Sequence, residues 1–114
     1  METATVVFVP TDRLGSGDDE LGRALLRSAL KHLAGLADPP VSHVLFMNAG
    51  VRLCCEGSDA LGDLQALADA GADLLCCGTC LDWFALEEKL RVGRRSGMAE
   101  ILGLQNAARR LIRL

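Results

Sequence analysis

The sequence predicts an α/β fold built on a mostly parallel sheet of about five strands, and three observations carry that expectation. Short apolar, β-branched runs of strand length recur at residues 3–10 (TATVVFVP), 44–47 (VLFM) and 72–77 (ADLLCC). Between them lie segments with helical periodicity, introduced by acidic or hydroxyl residues suited to capping. Glycine and proline mark the changeovers, at Gly35, Pro39-Pro40, Gly57 and Gly71. Strands that alternate with helices pair in parallel through right-handed crossovers, which puts helices on both faces of the sheet.

Each element has its own justification. Residues 3–10 are apolar without alternation, the pattern of a strand buried on both faces. A polar loop follows at 11–17, and Asp18 or Asp19 caps the first helix, where negative charge also suits the helix dipole. Leu21, Leu25, Ala29 and Leu33 recur at i, i+4 along it, with Arg23, Arg27 and Lys31 on other faces, and it ends near Gly35. Pro39-Pro40 blocks continuation, the second strand covers 44–47, and Asn48-Ala49-Gly50 turns the chain. Ser58 or Asp59 caps a second helix that turns Leu61, Leu64 and Leu67 inward and closes at Gly71. The third strand is 72–77. A helix over 81–90, a short strand at 90–93, a helix over 96–104 and a final strand at 110–114 complete the pattern.

A length of 114 residues fits one domain, residues 1–114, with a continuous core. Half of the residues are apolar, so some apolar side chains are expected to face a partner subunit. No apolar run approaches the roughly 20 residues of a membrane span. The start, Met1-Glu2-Thr3-Ala4, lacks the basic and apolar segments of a signal peptide. A cytoplasmic protein with reduced thiols is expected, and five cysteines are in any case an odd number. The net charge of −3 is uneven: residues 1–80 carry 11 acidic and 5 basic groups, residues 81–114 carry 4 and 7. Arg91, Arg94 and Arg95 form the nearer basic group; they read as solvated charges, or as neighbours of a thiolate or anion. Low pI and few aromatic residues give nucleic-acid binding no support.

The chemistry centres on Cys76-Cys77-Gly78-Thr79-Cys80. In parallel sheets the loops leaving the carboxyl ends of the strands share one edge, where sites form. Cys77 stands where the third strand gives way to a helix, and free amides with a helix dipole there would favour its thiolate. Gly78 permits a close turn, Thr79 offers a hydroxyl, and Cys80 can reach back to Cys77 over one turn. Cys76 points to the other face as a small core residue. Three chemistries remain open for the Cys-x-x-Cys pair: a reactive thiol, a thiol–disulfide couple, and half of a zinc site completed by Cys54 and Cys55. Adjacent Cys54-Cys55 is a poor second half for zinc, so neither a metal nor a cofactor is expected. Trp83 follows the thiol pair, whereas thioredoxin-type motifs have it before. His32 and His43 read as structural or solvated, and Trp83 with Phe84 as core or interface anchors. Gly15-Ser16-Gly17 precedes a helix N-terminus but lacks the lysine of a phosphate loop.

Five ordered stretches carry a resemblance: GSGDDELGRALL (15–26), FMNAGVRL (46–53), EGSDALGDLQAL (56–67), CGTCLDWFAL (77–86) and VGRRSGMAEI (92–101). In these the chain resembles the DsrE/DsrF-like sulfur-relay family, and in particular the DsrE-type half of YedF-type proteins linked to sulfur transfer and selenium metabolism. The resemblance implies a three-layer α/β/α sandwich of flavodoxin-like appearance, assembled as a trimer or hexamer, alone or with relatives. It implies that Cys77 carries sulfane sulfur as a persulfide between donor and acceptor proteins, with Cys80 resolving or shuttling it. Asn48, Gly50, Glu56, Gly57 and Ser58 match a loop bordering the same edge and are supporting candidates. Two departures stand out. The Cys-Pro-x-Pro carrier motif of the YedF proteins is missing from this sequence, and Cys54-Cys55 replace small residues. A non-catalytic binding module, a redox protein or a zinc protein are the alternatives.

Overall fold

Five strands, all parallel, form the centre of the computed structural model, which describes residues 5–114. The chain runs β1 (Thr5–Val9), α1 (Asp19–Leu33), β2 (Val41–Phe46), α2 (Leu61–Asp69), β3 (Asp73–Cys77), α3 (Gly78–Trp83), β4 (Arg94–Ser96), α4 (Met98–Ala107) and β5 (Arg110–Arg113). Short 3-10 turns fill Asn48–Cys54 and Glu87–Lys89. The strands lie in the order β4-β3-β2-β1-β5. Right-handed crossovers from β1 through β4 put α1, α2 and α3 on one face, and the return to β5 puts α4 on the other. The three-layer α/β/α sandwich with five parallel strands is therefore present, flavodoxin-like in its layers. The first two residues of the expected first strand, Thr3 and Ala4, lie outside the described residues.

The core is the sheet's central strands and what rests on them. Val6, Val7, Val9, Val44, Leu45, Phe46 and Leu75 are fully buried, as are Leu30, Leu64, Leu81 and Ile101 from the helices. Each such side chain contributes about 1.5–3 kcal/mol relative to an exposed one. Asp18 caps α1, accepting the Leu21 amide at 2.8 Å. Ser58 accepts the Ala60 amide at 3.0 Å ahead of α2. Gly71 closes α2 at φ +109, with the Ala72 and Gly71 amides donating to Leu67 and Ala68 carbonyls.

Four expectations need correction. The inward face of α1 is Gly22, Leu26, Leu30 and Leu33, whereas Leu21 and Leu25 are exposed. Both stripes are apolar, and Gly22 decides between them by letting the helix sit against Arg13 and Leu14. The expected helix over 81–90 is only α3, because Ala85 takes φ +56 and the Leu86 amide returns to the Leu81 carbonyl at 2.8 Å. The strand expected at 90–93 is instead β4. The Arg91 and Val92 amides donate to the Cys54 carbonyl, Gly93 turns at φ +85, and Arg94, Arg95 and Ser96 then pair with Leu75, Cys76 and Cys77. Finally, of the core and interface roles expected for Trp83, the core one is excluded, because it is 83% exposed.

Candidate functional site

The thiols lie at the carboxyl edge of the sheet, where β2 and β3 end. Cys77 is the last residue of β3 and the residue before α3, and only 4% of it is exposed. It makes no capping hydrogen bond with its side chain. Cys80, one turn along α3, is half-buried and neighbours the Cys77 thiol. The Asn48 main-chain N–H donates to the Cys80 sulfur at 3.1 Å. Asn48 is placed for this by its left-handed backbone, φ +52, one residue beyond the Met47 that follows β2. Burial pushes the Cys80 thiol above the ordinary value, the neighbouring Cys77 thiol adds to that, and the Asn48 amide pulls the other way. The donor aimed at a sulfur is thus found on Cys80.

The other thiols are core groups. Cys54 lies in the interior, where burial first and the neighbouring Cys76 thiol second push it well up. Cys55 donates to the Val51 carbonyl at 3.3 Å, and burial raises it as well. Protonated thiols in such surroundings are inert. Among the described residues no group of three or more His, Cys, Asp or Glu is arranged to hold a metal.

The supporting residues divide. Gly50 passes so close to the Val9 carbonyl that no Cβ fits. Gly78 lies under the Arg95 guanidinium, and Thr79 is exposed. Arg95 bonds Asp82 at 2.9 Å and also Glu87, and Arg94 clamps Asp73 and Glu100 at 2.9 and 2.7 Å. Those cations are therefore occupied by carboxylates and tie α3, β3 and α4 to β4. His32 contacts the Ser28 carbonyl at 2.7 Å, and His43 contacts Ser42 at 3.0 Å.

Glu56 and Ser58 face elsewhere: they line a cavity of about 390 Å³ between α1 and the loop from Arg52 to Ala60. Arg23, Arg27, Arg52, Asp12 and Asp59 contribute its charges, and Leu26, Leu53 and Leu86 its apolar wall. Sequence reading missed this cavity. Arg23 and Arg27 look like outer-face residues of an amphipathic helix, and nothing in the sequence says which loop covers them.

With the geometry in place, solved structures give a clear match. A protein of unknown function from Methanobacterium thermoautotrophicum, MTH1491, aligns over 97% of this chain and 99% of its own, at 26% identity and a TM-score of 0.69. The ychN protein from E. coli aligns over the same shares at 15% identity with a TM-score of 0.70. The chain has the ychN fold. A conserved protein of unknown function from Bacteroides thetaiotaomicron, BT1422, follows at 11% identity, 96% and 94% coverage and a TM-score of 0.63. No protein-family model matches the sequence, and no curated protein does. The ychN likeness agrees with the DsrE-like architecture implied by the sequence resemblance. Among the described residues no helix is long and apolar enough to cross a membrane.

Proposed function

We propose that this chain is a sulfur-transfer protein of DsrE-like type, residues 1–114 forming one unit, which carries sulfane sulfur on the Cys77–Cys80 pair. The observation that carries the reading is the half-buried Cys80 sulfur at the sheet's carboxyl edge, facing the Asn48 N–H with Cys77 behind it. Accessibility favours Cys80 as the entry thiol and Cys77 as the partner, the reverse of the order implied by resemblance. The Cys80 thiolate attacks the outer sulfur of a donor persulfide; the donor's S–S bond breaks, the donor leaves as thiolate and Cys80 becomes a persulfide. An acceptor thiolate then takes the outer sulfur in the same way. Alternatively the Cys77 thiolate attacks the inner sulfur, forming a Cys77–Cys80 disulfide and releasing hydrosulfide. The Asn48 N–H stabilises negative charge on the Cys80 sulfur whenever it is attacker or leaving group.

The partners in this reading are donor and acceptor proteins in sulfur or selenium metabolism. Trp83, exposed three positions after Cys80, offers them an aromatic anchor. Exposed Met98 and Leu102 on α4 and Leu111 on β5 support assembly with further copies or relatives, as a trimer or hexamer. A reducing cytoplasm suits five unpaired thiols.

The test is intact-mass and peptide mass spectrometry after incubation with inorganic polysulfide. A gain of about 32 Da, one sulfur, is expected on the Cys80 peptide of the parent and of Cys77→Ser, and not in Cys80→Ser. Loading of Cys80→Ser at the parent rate returns the entry role to Cys77. Equal loading of the double variant rejects sulfur transfer at this pair. The second reading, a binding module with incidental thiols, is favoured by the upward push on Cys80 and predicts that last result.

A further inference from the structure

We propose that the cavity between α1 and the Arg52–Ala60 loop is a binding site for a small organic oxyanion with an apolar body. The proposal concerns a different place from the thiol pair and does not depend on sulfur transfer. The cavity's volume, about 390 Å³, falls within the range of small-molecule sites, and its wall joins apolar and charged groups.

The charge pairing gives the sign of the ligand. Three cations and three carboxylates line the cavity. Each carboxylate already has a cationic partner: Asp12 is 3.1 Å from Arg13, Glu56 is 3.4 Å from Arg91, and Asp59 is 3.7 Å from Arg27. Two of those partners, Arg13 and Arg91, stand outside the lining. Arg23 and Arg52 consequently make no ion pair among the described residues. Arg52 is nevertheless held in place, its guanidinium 4.4 Å from the centre of the Phe84 ring. Stacking fixes its plane and leaves its N–H edges free for an oxyanion. Ser58 accepts the Ala60 amide, so its hydroxyl proton also remains to donate. Leu26, Leu53 and Leu86 supply the apolar wall for the ligand's body.

The site has a built-in connection to the thiol helix. Phe84, on which Arg52 stacks, directly follows α3, the helix that carries Cys80. Cys55 lines the cavity but donates to the Val51 carbonyl, so its role there is to close the wall.

The test uses 8-anilinonaphthalene-1-sulfonate, a sulfonate with an aromatic body, in a fluorescence titration of the full chain. Saturable one-to-one binding is expected, weakened about tenfold in Arg23→Gln/Arg52→Gln. Arg113→Gln makes the same kind of charge change on β5, outside the cavity lining, and is expected to bind as the parent does. Cys77→Ser/Cys80→Ser is also expected to bind normally, which separates this site from the sulfur-transfer reading. Should the double arginine variant fail to fold, Arg23→Gln alone, at an exposed position on α1, carries the test. The proposal is overturned if the parent shows no saturable binding, if the arginine variant is weakened less than threefold, or if Arg113→Gln weakens binding as much.

Discussion

Replacing Gly50 by alanine is the most direct test of how the carboxyl edge is held together. Gly50 is buried where the chain leaving β2 crosses the end of β1. An added Cβ would overlap the Val9 carbonyl oxygen and lie 3.2 Å from the Val9 carbonyl carbon and 3.3 Å from the Thr11 nitrogen. These are backbone atoms, so no rotamer change relieves the overlap. The same Val9 carbonyl accepts the Met47 amide at 3.1 Å, and the substitution must push that donor away. Overpacking costs about 1–3 kcal/mol and a lost hydrogen bond about 1 kcal/mol, giving about 2–4 kcal/mol in total. At roughly 4 °C per kcal/mol for a chain of this size, the melting temperature falls by about 8–16 °C. Circular dichroism melts of parent and variant at one protein concentration measure it. A variant melting within about 2 °C of the parent would refute the close approach, and with it the account of how Asn48 is presented to Cys80.

Three further outcomes follow from the same contacts. Because burial and Cys77 push the Cys80 thiol up, its alkylation by iodoacetamide should keep accelerating beyond pH 9; a plateau reached near pH 8 contradicts this. Glu100 is held at about 2, first by Arg94 and then by Ser96. A depressed carboxylate stabilises the fold above its unfolded value of about 4.3, and that stabilisation fades as pH falls towards 2. Glu100 is 45% exposed, so screening keeps the effect small. In urea titrations Glu100→Gln should trail the parent at pH 7 and converge with it near pH 2.5; an equal gap at both would be inconsistent with the pairing. At Asn48, φ +52 costs an ordinary L-residue about 1–2 kcal/mol while asparagine and glycine tolerate it. Asn48→Ala should therefore lower the urea midpoint and Asn48→Gly should not, and equal effects would argue against the left-handed backbone.

What the sequence revealed depended on whether a segment's local signal and its tertiary role agree. After their first residues, Thr5 and Asp73, β1 and β3 are unbroken apolar runs packed into the core, so composition alone exposes them. The Asp18 cap and the Gly71 stop are local hydrogen-bond chemistry and were legible for that reason. β4 was not, since Arg-Arg-Ser is an edge strand whose cations bind carboxylates on α3, β3 and α4 and whose polarity hides its pairing. The end of α3 at Ala85 was equally hidden, because alanine is a strong helix former and only tertiary contacts force it left-handed. At the site, the pairing of Cys77 with Cys80 followed from helical spacing. The amide aimed at Cys80 comes from Asn48, thirty-two residues earlier, and such a contact has no local signature. The cavity needed the packing of α1 on a distant loop and left no trace in the sequence.

The placement of β5 beside β1 governs the order in which the molecule can form. β1 meets β2 after one helical crossover, but its other neighbour pairs Thr5 with Arg110 and Phe8 with Arg113. Closing that loop demands the largest loss of chain freedom in the sheet, which predicts that β5 adds after β1, β2 and β3 have paired. Until it does, the apolar run Val6-Val7-Phe8 presents open amide and carbonyl groups along one side, a template for another chain. Weakening β5 would accordingly raise the tendency to aggregate during refolding more than it lowers the stability of the finished fold.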